Sequence, residues 1–345
     1  MAKLFFLLSG EHETLPVSEL KAILEAERHR YSVVGQLRQV VRVEAGLGCV
    51  GSIVRRAALT RVCCAEIFCT KAETEEVLRQ SRLASFGKYL KRGESFAVRV
   101  RRIGESAPEV GSVGLESEIG AAVLDRVVGA KVSLTHPDVP FFGVLTGGFF
   151  VLGRKLAEVV PKAFVMRGPR RRPFFHPSAM PAKLARCMVN LAQPNAGDLV
   201  LDPFCGTASM LIEAGLIGCR VVGFDVQRRM VRGSLRNLRH FGVGAEGVLR
   251  ADVRHPPVRQ VDCIVTDPPY GRCAKTLGRE VADIVGDFLR VAKDCVARGR
   301  RLCIAFPKGV HIRRLAEDSG FRVVESHYVY VHRSLTREVA VLERV

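Results

Sequence analysis

The 345-residue sequence has no tryptophan and five tyrosines, and only 7% of it is aromatic. Long aromatic platforms for threading single-stranded nucleic acid are therefore not expected. No apolar run approaches the roughly 18 residues that a spanning helix needs, which argues against an integral membrane protein. The run Leu4–Leu8 is shorter than a secretory core of about 7–15 residues, and Glu11 and Glu13 follow it, so it reads as a buried strand. Among 11 cysteines no C-x-x-C pair occurs. Cys63 and Cys64 are adjacent, and Cys263 and Cys303 lie inside apolar runs. This spacing suits small buried hydrophobes in a reducing cytoplasm, with neither a metal site nor a disulfide framework. A dinucleotide-binding G-x-G-x-x-G is missing, and so is the lysine of a P-loop.

Acidic residues are also scarce, with 35 Asp and Glu against 53 Lys and Arg, a net charge of +18. The imbalance is local. Residues 1–150 carry 20 basic and 17 acidic residues, whereas residues 151–345 carry 33 and 18. A concentrated, arginine-dominated excess fits a polyanion, with nucleic acid the usual partner.

Two small α+β blocks precede a larger region. In the first, strands are expected at 3–8, 33–34 and 40–43, with helices at 17–29 and 51–69. In the second, Ser95–Arg102 alternates apolar and basic residues as a half-buried strand, a helix covers 111–128, and strands follow near 132–134, 141–145 and 149–152. Pro161–Pro173, rich in Pro, Gly and Arg, reads as a linker whose Arg170, Arg171 and Arg172 are placed to meet phosphate. Beyond residue 175 strands and helices alternate strictly. Ser178 is expected to cap a helix running to about Gln193, and strands lie at 199–202, 220–226, 247–253, 261–267 and 301–307. Residues 321–331 and 338–345 form a closing hairpin. The fold class is α/β, a doubly wound, mostly parallel sheet with an antiparallel edge. This half, from about Arg167, is expected to bind its cofactor unaided.

Asp202, Asp225, Asp252 and Asp267 end four successive strands, where ligands of open parallel sheets bind. The turn Asp202-Pro203-Phe204-Cys205-Gly206-Thr207 sets an acid beside a glycine that allows close approach. That charge repels phosphate and attracts a cation, so S-adenosylmethionine fits, with its sulfonium. Asp225 is placed to accept from ribose hydroxyls and Asp252 from the adenine amine. Thr266-Asp267-Pro268-Pro269-Tyr270-Gly271 closes the fourth of these strands. An exocyclic base amine is a poor nucleophile, because its lone pair is delocalised into the ring. The Asp267 carboxylate and the Pro268 carbonyl can hold its hydrogens while nitrogen becomes tetrahedral, and Tyr270 can stack on the base. The motif indicates amino-group methylation, without separating adenine N6, guanine N2 and protein amide. Arg228, Arg229, Arg232, Arg236 and Arg239 form a basic helix face, either simply solvated or in contact with RNA.

These motifs, together with Arg172-Pro173 through His176-Pro177, Lys183–Leu191 and the tail His332-Arg333-Ser334-Leu335-Thr336-Arg337, resemble the archaeal tRNA guanine-10 N2-methyltransferases over nearly the whole chain. The resemblance implies a ferredoxin-like domain at 1–69, a THUMP RNA-binding domain at 70–157, a linker at 158–174 and a Rossmann-like methyltransferase domain at 175–345. It implies that Ser178, Met180, Asp202, Phe204, Gly206, Asp225 and Asp252 hold S-adenosylmethionine, with Ser178 and Met180 near its methionine end. Asp267, Pro268 and Tyr270 would hold the guanine, and the THUMP unit would grip the tRNA acceptor end. No metal is expected, and a cytoplasmic monomer is favoured. Ala208-Ser209 departs from relatives, which often carry a second glycine there; a first helical turn would tolerate the alanine. Alternatives are a THUMP enzyme for another tRNA guanine, a DNA adenine N6-methyltransferase, and an RNA-binding scaffold with a relic methyltransferase domain. The extra α+β N-terminal half disfavours the second, and the intact strand-end aspartates disfavour the third.

Overall fold

Short apolar runs, continuous in the central strands, build one eight-stranded sheet from the N-terminal half. A computed structural model describes residues 1–270 and 280–345, so Gly271 and the first residue expected for the helix at 279–297 lie outside the described residues. The strands are β1 (Ala2–Leu8), β2 (Tyr31–Leu37), β3 (Val40–Ala45), β4 (Thr60–Lys71), β5 (Ser95–Arg102), β6 (Lys131–Val132), β7 (Val139–Thr146) and β8 (Phe149–Glu158). They run in the order β2-β3-β1-β4-β8-β7-β5-β6. The pairs of β5 with β6 and with β7 are parallel. Helices α3 (Thr74–Leu83) and α4 (Ser112–Arg126) complete this part, and Ile119 and Val123 of α4 share a core with Phe96 and Phe141.

Residues 51–69 do not form the single helix expected from sequence. Helix α2 (Cys49–Arg56) ends there, and the 12-residue β4 begins at Thr60, paired with β1 on one side and β8 on the other. The run Val62–Ala65 is buried throughout. A continuous apolar run carries no periodicity to separate a central strand from a buried helix. Strand β4 also runs across residues 69–70, so the blocks expected on either side share one sheet.

By packing, the chain forms two compact units. One holds Met1–Glu11, His29–Val54 and Thr60–Val159; the other holds His12–Arg28, Arg55–Leu59 and Val160–Val345. Helix α1 (Leu15–Ala26) therefore belongs with the C-terminal half. Its Leu15 and Ala22 lie with Ala58 and Leu59 in the same core as Leu184, Met188 and Leu191. Glu19 of α1 is fully buried, and its carboxylate accepts hydrogen bonds from the Ala58 and Leu59 N–H groups at 3.0 and 2.8 Å and from Asn190 Nδ2 at 2.9 Å. Burial still pushes its carboxyl up.

The second unit contains α5 (Lys162–Met166), α6 (Ala182–Leu191), β9 (Leu199–Asp202), α7 (Ser209–Gly215), β10 (Arg220–Asp225), α8 (Arg228–His240), β11 (Gly247–Arg250), β12 (Cys263–Thr266), α9 (Val281–Cys295), β13 (Arg301–Pro307), α10 (Ile312–Asp318), β14 (Phe321–His332) and β15 (Leu335–Arg344). Its seven-stranded sheet runs β11-β10-β9-β12-β13-β15-β14, with β11 to β13 parallel and the hairpin antiparallel, as the alternation indicated. Strand order reverses between β9 and β12, which opens a crevice at their C-terminal ends.

The stretch read as a linker is fastened to this unit. Phe164 is buried, and the Arg167 guanidinium lies 4.6 Å from its ring. Fully buried Glu213 takes Arg167 at 2.7 Å and Arg186 at 2.8 Å. Arg172 is also buried: Nε donates to the Arg167 carbonyl at 3.0 Å and Nη1 to Ser209 Oγ at 2.6 Å. Only Arg170 and Arg171 of the expected phosphate-binding trio are exposed.

Candidate active site

Asp202 ends β9 with 3% of its surface exposed. Its Oδ1 accepts from Thr266 Oγ1 at 2.7 Å and from the Phe204 N–H at 3.1 Å, which joins the ends of β9 and β12. Burial pushes the carboxyl up to about 7, and the charges of Asp267 and Asp225 add to the rise. The turn then bends through Gly206, at φ +49°, and Ala208, at φ +65°. Ala208 lies in the left-handed region just before α7, not in a helical first turn as expected. Glycine would adopt that backbone without the roughly 1–2 kcal/mol an L side chain costs there.

Asp225, at the end of β10, accepts from the Gly206 N–H at 3.2 Å and the Gln227 N–H at 2.8 Å. Burial raises its carboxyl. The Gly206 carbonyl in turn takes Ser234 Oγ of α8 at 2.8 Å. The carboxylate thus faces the glycine turn, each oxygen keeping a lone pair for a further donor. Phe204 turns inward, edge-on to Phe288 with ring centres 5.9 Å apart.

Ser178 does not cap a helix. Helix α6 starts at Ala182, four residues later than Ser178, and Ser178 Oγ pairs with His176 Nδ1 at 2.7 Å. Pro181 holds an extended ψ of 139°, so the helix opens only after it. Met180 is buried, and its carbonyl accepts Ser209 Oγ at 3.0 Å, which ties this segment to the start of α7. Asp252 is engaged elsewhere. Arg254 Nε and Nη2 bind its two oxygens at 3.0 and 2.8 Å, and that contact holds its carboxyl down at about 2.

Asp267 follows β12, and its Oδ1 is buried with no hydrogen-bond partner among the described residues. Oδ2 lies 3.5 Å from Arg337 Nη2. Burial pushes the carboxyl up to about 6, against the pull of Arg337 and a hydrogen bond from Tyr270. Pro268 is buried. Tyr270 is 9% exposed, and Arg337 Nε donates to its hydroxyl while the guanidinium sits 5.6 Å from its ring centre. Burial drives the phenol pKa up, so it stays protonated.

The structure therefore gathers Asp202, Phe204, Gly206, Asp225, Asp267 and Tyr270 at one end of the sheet, while Asp252 is paired with Arg254. Sequence reasoning assigned no role to Thr266 or Arg337, and it gave Arg172 a different one, contact with phosphate. Arg337 reaches Asp267 from β15, and its only signal was its place in the terminal motif.

Two buried polar atoms at this end lack partners among the described residues: the acceptor Asp267 Oδ1 and the donor Arg172 Nη2. With three carboxylates on the crevice, they suit a ligand with a positive centre, hydroxyl donors and a carboxylate. S-adenosylmethionine has all three. No group of three or more metal-ligating side chains occurs among the described residues. Among the described residues no helix is long and apolar enough to cross a membrane.

A family model described as an RMKL-like methyltransferase domain matches residues 169–338, and a THUMP domain model matches residues 71–152. The tRNA (guanine(10)-N2)-dimethyltransferase of Methanothermobacter thermautotrophicus is 38% identical over 344 residues, spanning 99% of this chain and 100% of that protein. The protein of the same name from Methanocaldococcus jannaschii is 32% identical over 364 residues, 99% of each chain. The crystal structure of TrmN from Thermus thermophilus is similar in fold, with a TM-score of 0.56, 22% identity, and coverage of 99% of this chain and 100% of that one.

Proposed function

We propose, on the premise that this chain belongs to the family of tRNA (guanine(10)-N2)-dimethyltransferases, that it methylates the exocyclic N2 amine of guanine 10 in tRNA, adding two methyl groups in turn. The observation that carries this reading is the buried, unpartnered Asp267 Oδ1 at the end of β12. S-adenosylmethionine, when bound, supplies an electrophilic methyl group on a sulfonium.

The chain's own residues bind and orient. Asp225 accepts from the ribose hydroxyls, and Gly206 leaves room beside them. Asp202 sets negative charge near the positive centre. Arg172 Nη2 offers a donor to the carboxylate end, where Ser178 and Met180 also lie. Phe204 anchors the turn. Asp252 reaches an adenine amine only after leaving Arg254. On the substrate side, Asp267 Oδ1 and the Pro268 carbonyl accept the two amine hydrogens and let the nitrogen lone pair leave the ring. A carboxyl near pKa 6 is ionised enough at neutral pH to accept, and basic enough to take the proton late. Tyr270 stacks on the guanine once its ring is released from Arg337.

The THUMP unit docks the tRNA, and the enzyme works in the cytoplasm as a monomer. The test is methylation of unmodified tRNA transcripts, mapped by mass spectrometry. Mono- and then dimethylation at guanine 10 is expected, with Asp267→Ala inactive and its cofactor affinity kept. Methyl groups at another guanine, or turnover by Asp267→Ala, would overturn the assignment.

A further inference from the structure

Two of the five tyrosines stand in the open on one strand. Tyr328 is 60% exposed and Tyr330 70% exposed, while His327 and Val329 between and beside them are buried. Period-two geometry puts both rings on one face of β14, the edge strand of the sheet. They pair with Glu338 and Thr336 of β15. Thr336 immediately precedes Arg337, so the rings sit at the end of the sheet that carries Asp267, on the face opposite Arg337.

The surroundings carry charges of both signs, with a lysine directly over one ring. Lys308 Nζ lies 5.3 Å from the Tyr328 ring centre, and the Lys308 backbone N–H donates to the Thr336 carbonyl at 2.9 Å. Beside Tyr328 a groove of about 680 Å³ runs between β14 and α10, lined by His311, Arg313, Arg314 and Glu317, with Ser326 and Glu338 on its strand side, and Arg314 Nε lies 3.9 Å from Asp318 Oδ2. Both arginines are exposed. That volume admits a small ligand the size of a nucleotide. Large exposed aromatic rings beside cations fit stacked bases with their phosphates. A second copy of this chain would bring its own net charge of +18 against the same patch, which opposes self-association.

We propose that Tyr328 and Tyr330 form a base-stacking subsite for one or two unpaired nucleotides that flank the target guanine, with Lys308, Arg313 and Arg314 meeting their phosphates. The inference rests on the reading of tRNA as substrate. It also supplies what the scarcity of aromatics left open: a short platform at the catalytic end, not a long track. Such a contact would hold the RNA strand on either side of a base turned into the site.

The double variant Tyr328→Ala/Tyr330→Ala is compared with wild type for methyl transfer to unmodified tRNA, cofactor affinity, melting temperature and sedimentation. The tRNA KM should rise about 5- to 100-fold, the range for losing base–aromatic stacks, with cofactor affinity and melting unchanged. Tyr328→Phe/Tyr330→Phe should keep the wild-type KM, because stacking uses the ring. Arg313→Ala/Arg314→Ala should flatten the salt dependence of tRNA binding. An unchanged KM in the alanine pair overturns the subsite, as does a rise that phenylalanine fails to prevent. A wild-type dimer that the alanine pair dissolves also overturns it, because the face would then join two copies. Wild-type enzyme that methylates no tRNA overturns the substrate reading itself, whereas active wild type with indifferent tyrosines overturns only the subsite.

Discussion

Replacing Arg337 with leucine should shift the acid limb of the methylation pH profile upward. Arg337 Nη2 stands 3.5 Å from Asp267 Oδ2, in a site where the two side chains are 11% and 15% exposed. Burial raises the Asp267 carboxyl to about 6, and Arg337 is the largest influence opposing that rise. An opposite charge this close lowers a carboxyl pKa by about 1–3 units. Taking about 1.5 units, the variant carboxyl moves to about 7.5, and its ionised fraction at pH 7 falls from roughly nine-tenths to roughly a quarter. Because only the ionised form can take the amine proton, and it is the stronger acceptor, kcat at pH 7 drops about 4-fold, and at pH 6 about 15-fold, with the profiles converging above about pH 9. Arg337→Lys keeps the charge and should keep the limb in place while loosening the hold on the Tyr270 hydroxyl. The assay is kcat against pH at saturating cofactor and tRNA. A limb that stays put in Arg337→Leu, or a loss equal at every pH, would refute the electrostatic role and leave Arg337 a packing residue.

Other outcomes follow from buried groups. Asp202→Asn should melt higher than wild type at pH 8 and no higher near pH 4: the folded carboxyl sits at about 7, above its unfolded value, so ionising it costs stability that grows as pH rises between them, up to about 4 kcal/mol. The same variant should bind S-adenosylmethionine more weakly, as calorimetry would show; equal affinity would remove Asp202 from the site. Arg170→Ala/Arg171→Ala should reduce the salt slope of tRNA binding without lowering the melting temperature, whereas Arg172→Ala should lower it, since Arg172 holds the Arg167 carbonyl and Ser209. Similar melting in the two variants would contradict the burial of Arg172. A chain starting at Arg167 should lack a cooperative melt and bind cofactor poorly, because Leu15, Glu19, Ala22, Ala58 and Leu59 complete its core. Full cofactor affinity in that fragment would show α1 to be dispensable.

Asp202, Asp225 and Asp267 were legible because a parallel sheet announces itself by alternation, and its ligand end follows from strand direction, whereas β11 ends at Arg250, short of Asp252. The short apolar strands Leu199–Asp202 and Cys263–Thr266 each run straight into a proline-bearing turn, so Asp202 and Asp267 could be placed from sequence. Arg337 could not. It lies 70 residues after Asp267 and arrives through an antiparallel hairpin, a tertiary pairing that no local pattern encodes. Arg172 misled in the opposite direction, since three arginines in a row look alike in composition. Only the fold shows that Arg172 turns inward toward Ser209. The run Val62–Ala65 was ambiguous for a different reason, because burial on both faces erases the periodicity that would have marked β4 as a strand.

Helix α1 and the segment Arg55–Leu59 carry one more implication, for how such a protein can be rearranged over generations. The chain passes between its two units at residues 11–12, 28–29, 54–55, 59–60 and 159–160. No single break in the gene separates the first unit whole from the second. A crossover near residue 160 that joined this catalytic half to a foreign N-terminus would leave Asn190 and the floor of α6 without Glu19. Lineages that exchange the N-terminal unit must therefore keep α1, or reinvent its contacts, and the two halves are expected to travel together as one heritable piece.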